Sequence, residues 1–123
     1  MIRIVGVQRH ENVSEEFVLL QNQGSMKVNL KGHVVAAQCA LDGDGGKDSI
    51  HIFCEEIDVL PGMYVLLRTC PGVGHWNHSH DRFSTYYSYM QNQVCVWMRH
   101  PGTVHVMAPQ HSWVERRPEA MLS

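Results

Sequence analysis

The sequence predicts a single all-β domain of about eight or nine strands, and three observations carry that expectation. Short apolar or alternating runs recur along the chain, separated by turn residues at roughly ten-residue intervals, the rhythm of a sandwich or barrel. No amphipathic stretch of ten or more residues has helical periodicity. The chain has 123 residues, 44% hydrophobic and 18% charged, which fits one globular unit spanning 1–123 and not a disordered tail.

The elements follow in order. "IRIVGV" (2–7) is short and β-branched, and "EEFVLLQN" (15–22) comes next after a polar turn. "QNQGS" (21–25) is a turn cluster, and "MKVNL" (26–30) places Met26, Val28 and Leu30 on one face. "HVVAAQCAL" (33–41) reads as one strand, and "DGDGGKDS" (42–49) as a loop of positive-φ and turn-bonding residues. "IHIFC" (50–54) is a further strand. "LPG" (60–62) turns into "MYVLLRT" (63–69), whose nearly continuous apolar run predicts burial on both faces. From 72 to 91 the pattern blurs into a long polar and aromatic loop, after which "VCVWM" (94–98), "TVHVMA" (103–108) and "SWVE" (112–115) read as strands and 116–123 as a frayed end.

A net charge of -2 gives no general pull towards nucleic acid or an anionic membrane. No run approaches the ~20 apolar residues of a membrane helix. The N-terminus lacks a signal-peptide pattern, so an intracellular protein is the expectation. Cys39, Cys54, Cys70 and Cys95 form no CxxC pair, which argues against a zinc ribbon and for buried free thiols.

The most chemically suggestive stretch is "GVGHWNHSHD" (72–81). In an extended segment His78 and His80 project to one side, His75 can curl in, and Asp81 can orient a ring, giving the three ligands of an open metal site. Read blandly, the same stretch is a histidine-rich surface loop with no metal and no cofactor, and that is the expectation adopted. Paired Glu15–Glu16 and Glu55–Glu56 read as solvated edges, because neighbours on a strand point opposite ways. The serines Ser14, Ser25, Ser49, Ser79 and Ser84 lack a nucleophile elbow. "DGDGG" lacks calcium-loop spacing and its closing glutamate. Arg116 and Arg117 are too few for a nucleic-acid patch. Trp76, Tyr86 and Tyr87, with Tyr89 and Trp113, form a candidate aromatic contact surface, since Tyr and Trp dominate binding hot spots.

"EFVLLQNQGSMKVNLKGHVV" (16–35), with Glu16, Val18, Leu20, Asn22, Gly24, Leu30, Gly32 and Val34 in their spacing, resembles the opening of the lamin tail domain family. His33 stands where that family has tryptophan. "IHIFCEEIDVLPGMYVLL" and "VWMRHPGTVHVMAPQHSWVE" are similar to its later strands; Trp97 matches a family tryptophan, while Met98 and Arg99 replace asparagines. The resemblance covers most of residues 2–115 and implies an immunoglobulin-like β-sandwich with a non-catalytic role in binding a protein partner or in structure. A homo-oligomer through exposed sheet edges is compatible with it. Two rival readings remain. "GVGHWNHSH" and "PGTVH" (101–105) are similar to the two cupin motifs, which implies a metalloenzyme using His75, His78, His80 and His105, although Ser84 and Thr85 stand where the cupin glutamate belongs. A nucleic-acid-binding module is the other, and the charge speaks against it.

Overall fold

A computed structural model of the protein describes residues 1–44, 46–78 and 84–109. The expected strand at 112–115, the end at 116–123, Trp113, Arg116, Arg117, Ser79, His80 and Asp81 lie outside the described residues.

The fold is all-β. Its strands are β1 (Ile2–Gln8), β2 (Phe17–Asn22), β3 (Val28–Asn29), β4 (Val34–Ala37), β5 (Ile50–Ile52), β6 (Asp58–Val59), β7 (Tyr64–Arg68), β8 (His75–Asn77), β9 (Thr85–Tyr89) and β10 (Val104–Met107). A five-stranded sheet runs β1-β2-β7-β9-β8, a three-stranded sheet runs β10-β4-β5, and β3 pairs with β6. All pairings are antiparallel except β7 with β9, which is parallel. Among the described residues the only α-helix is α1 (Gln38–Leu41), and no helix is long and apolar enough to cross a membrane.

One core joins the sheets. Val18 and Leu20 of β2 and Val65 and Leu67 of β7 meet Val35 and Ala37 of β4, Val59 of β6, and Leu30, Phe53, Val96 and Trp97 from the connections. Strict alternation along β2 explains its contribution: residues of even number point inward and the odd-numbered ones lie half-buried on the outer face. The same parity carries Glu16 and Asn22 inward, so two polar side chains bracket two apolar ones.

Both polar ends are satisfied. Glu16 is fully buried. Its Oε1 accepts from Thr69 Oγ1 at 2.8 Å and from the amides of Val96 (2.8 Å) and Trp97 (2.9 Å), and its Oε2 accepts from the Met98 amide at 3.0 Å. The solvated edge expected for Glu16 is therefore corrected: a carboxylate this deep persists because it closes an irregular turn. Asn22 Nδ2 donates to the Met26 and Val59 carbonyls at 2.9 and 2.8 Å, while its Oδ1 accepts from the Gly24 amide (2.9 Å) and the N-terminal amine (3.0 Å). Asn22 and Gly24 thus shape the turn as their spacing predicts. Gly32, at φ 90°, turns the chain from β3 into β4 in the left-handed region that favours glycine.

Other expectations change for identifiable reasons. Residues 94–98 form no strand, because the successive amides 96–98 donate to Glu16 and cannot serve a ladder. The run 33–41 stops being a strand at Ala37, the last residue opposite β10, and continues as α1. Met26 is 76% exposed on the turn before β3, not aligned with Leu30 in the core. β7 is fully buried only at Val65 and Leu67, so its apolar run covers one deep face and one shallow one. β6 was not legible as a strand. The cysteines are all free, but only Cys95 is buried, and Cys54 is exposed.

Candidate functional site: the β8–β9 edge

The stretch expected to be a loop, 72–91, contains two strands that build one end of the five-stranded sheet. "TYYSY" of β9 alternates: Tyr86 and Ser88 point into the core, while Thr85, Tyr87 and Tyr89 lie half-buried on the other face. Aromatic and β-hydroxyl residues suit a pleated, half-buried surface, so β9 forms although its hydropathy is low. β8 pairs with it through His75↔Tyr87, Trp76↔Tyr86 and Asn77↔Thr85, and among the described residues β8 is the last strand of the sheet.

"PGVG" (71–74) allows this approach. A Cβ on Gly74 would overlap the Tyr86 hydroxyl, and one on Gly72 would overlap the Tyr89 ring. Gln91, held at φ 63°, clamps the segment: its Oε1 accepts from the Gly72 amide at 3.1 Å and its Nε2 donates to the Gly72 carbonyl at 2.6 Å. The amide side chain imitates one rung of a ladder and holds the entry to β8 against the exit of β9.

The side chains of β8 divide between the faces. His75 stacks on Tyr87 with ring centroids 4.9 Å apart and planes at 26°, and lies 6.1 Å from Tyr89. Its Nδ1 donates to the Val73 carbonyl at 2.8 Å, which fixes the ring. Trp76 points the other way and meets Tyr86 edge-on at 5.3 Å. His78 stacks parallel to Trp76 at 6.1 Å and shares a 2.8 Å hydrogen bond between its Nδ1 and Ser84 Oγ. Trp76, His78 and Ser84 line a cavity of about 250 Å³ with Asp58, Leu60 and Met63. Val73, at the mouth of β8, is 83% exposed, and Leu60 is also exposed.

Of the aromatic surface expected from sequence, Trp76 and Tyr87 are presented here. Tyr86 is only 6% exposed and serves as their support. Burial, assisted by the negative charge of Glu55, pushes the Tyr86 hydroxyl above the ordinary tyrosine range, so the ring is neutral. Glu55 also accepts from Ser88 Oγ, so this carboxylate is sheltered and not merely a solvated edge. Sequence reasoning missed Asp58, Leu60 and Met63, which come from the segment around β6 and the turn into β7, and singled out Ser84 without placing it beside His78.

The candidate metal ligands separate. His75 and His78 engage different faces of β8, one on Tyr87 and the other on Trp76. His105 lies on β10 of another sheet and bonds through Nε2 to Gln38 Oε1 at 2.7 Å. Among the described residues no group of three His, Cys, Asp or Glu side chains converges on a point that could hold a metal. The surface loop expected for 75–80 is corrected to an edge strand over 75–77.

No family model, curated protein or solved structure matches this chain.

Proposed function

We propose that the chain is an immunoglobulin-like β-sandwich of the lamin-tail kind and acts as a non-catalytic binding module. Its partner is an extended protein segment that pairs with the outer edge of β8, the last strand of its sheet among the described residues. The fold assignment is supported by the inward parity of Glu16, Val18, Leu20 and Asn22 on β2 and the Asn22–Gly24 turn that follows, with Val18, Leu20 and Leu30 in one core shared by the sheets.

The observation that carries the binding role is the juxtaposition at β8. An edge strand offers unpaired backbone groups for β-augmentation, in which main-chain bonds give affinity and pockets for alternate side chains give specificity. Beside that edge lie the His75–Tyr87 stack on one face and the apolar cavity of Trp76, Leu60 and Met63 on the other. An added strand would send alternate side chains towards each.

Panning a library of linear peptides on the purified protein tests this. Enriched sequences should alternate apolar and polar residues and bind without added metal. Trp76→Ala should weaken binding roughly 30-fold, the effect of losing a hot spot of about 2 kcal/mol. Peptides whose affinity is unchanged in Trp76→Ala and Tyr87→Ala, or enrichment of none, would overturn the proposal. Binding that needs zinc or manganese would favour the metalloprotein reading instead.

A further inference from the structure

Beside the three-stranded sheet, in the segments that follow β4 and precede β5 and β10, lies a second cluster, independent of the binding edge. Cys39, on α1, directs its Sγ to within 3.5 Å of His100 Nδ1. The other ring nitrogen, Nε2, is buried, makes no hydrogen bond among the described residues, and faces Asp48 Oδ1 at 3.4 Å. Asp48 is in turn fixed by Arg99, whose Nη2 lies 2.6 Å from Oδ2. The imidazole and the carboxylate are largely sheltered, with side chains 19% and 27% exposed. A nucleophile within reach of a base, and a base oriented by a third group, is the diagnostic arrangement of an activated thiol.

The surroundings of the other three cysteines differ. Cys95 Sγ donates to the His10 carbonyl at 2.9 Å, and burial pushes that thiol up, which makes it inert. Cys54 is exposed, and its Sγ donates to the Ile52 carbonyl at 3.7 Å. Cys70 is half-buried, and none of the four is in a disulfide.

We propose that Cys39, His100 and Asp48 form a nucleophilic thiol site that takes low-molecular-weight disulfides. His100 Nδ1 receives the Sγ proton as the sulfur attacks one sulfur of the small disulfide. A new S–S bond joins Cys39 to that half, the old S–S bond breaks, and the departing thiolate takes the proton from His100. The products are one mixed disulfide on Cys39 and one free small thiol, so no further oxidant is consumed. His100 is the base, and Asp48 is a positioning residue that holds the ring.

The test uses the four cysteines of one intact chain as mutual controls. The protein is labelled at pH 7 with limiting iodoacetamide, and separately with glutathione disulfide, and each cysteine is followed by peptide mass mapping. Cys39 should react at least tenfold faster than the more exposed Cys54 with both reagents. In His100→Ala that advantage should vanish and be partly restored by added imidazole. Asp48→Asn should reduce it several-fold, with Asp48→Glu recovering part, while Cys54 labelling and the melting temperature stay unchanged. Cys39 reacting no faster than Cys54 in the unaltered protein would overturn the proposal without reference to any variant. So would an advantage that survives His100→Ala.

Discussion

Glu16 is the place where a single atom change should be felt most. The carboxylate holds four hydrogen bonds, from Thr69 Oγ1 and the amides of Val96, Trp97 and Met98, with no exposure to solvent. Glu16→Gln keeps the shape but turns one oxygen into a donor. The amide oxygen can still receive the Thr69, Val96 and Trp97 donors, which all converge on Oε1. The amide nitrogen must then face the Met98 N–H, donor against donor. One stranded donor costs about 1–3 kcal/mol, and weakening three charge-assisted bonds adds to it, so a loss of about 3 kcal/mol is expected. Glu16→Ala strands every donor and leaves a cavity, for about 4–6 kcal/mol, comparable to the whole stability of many domains. Urea unfolding followed by tryptophan fluorescence measures both. For a chain of this size the glutamine variant should also melt roughly 10 °C lower. A glutamine variant within about 0.5 kcal/mol of the parent, the scatter of ordinary surface substitutions, would refute the argument that this carboxylate organises the 94–100 turn.

Further predictions concern titration, packing and turn chemistry. Burial holds His33 below the ordinary histidine range, and burial likewise lowers His51 against the opposing charge of Glu55. The unfolded chain therefore binds protons first. The stability they contribute is present above about pH 6.5 and is lost as pH falls through that value towards the folded values. Melting temperatures measured from pH 7.5 to 5 should decline, and a flat or rising profile would contradict the burial of these rings. Gly74→Ala drives a Cβ into the buried Tyr86 hydroxyl, so it should cost about 1–3 kcal/mol by overpacking and loosen β8. Chemical denaturation checks the cost, and the loosening would be read as faster amide exchange over 75–77. Asn22→Ala strands the Met26 and Val59 carbonyls and the Gly24 amide, for about 2–4 kcal/mol by equilibrium unfolding.

The strands with strong apolar periodicity were legible from residues alone: β2, β4, β5, β7 and β10 fall inside the runs that hydropathy marks, and β1 outruns its own by one residue, Gln8. What hydropathy could not show was pairing between polar strands. β8 and β9 are held by a tyrosine face, a Gln91 clamp and two glycines that let the backbones approach, and none of these is apolar. The stretch 94–98 misled in the opposite sense: Cys95, Val96 and Trp97 are buried at the centre of a turn, and the amides of 96–98 serve Glu16 instead of a neighbouring strand. The signal for Glu16 itself was present, since 16, 18, 20 and 22 share one parity and must share one face. The histidines of 72–81 gave a density of ligands but not a geometry, because alternation on β8 sends His75 and His78 to different sides. The Cys39–His100–Asp48 cluster joins three segments and has no local spacing that would disclose it.

The central claim is that the outer edge of β8 is free to receive a partner strand. Amide hydrogen exchange of residues 73–78, alone and with a peptide selected by panning, tests it most directly. The account predicts rapid exchange at the outward-facing amides of the free protein and clear protection on binding, confined to β8 and its neighbours. Protection already complete in the free monomer, or protection on binding that appears elsewhere while 73–78 stay unchanged, would contradict it.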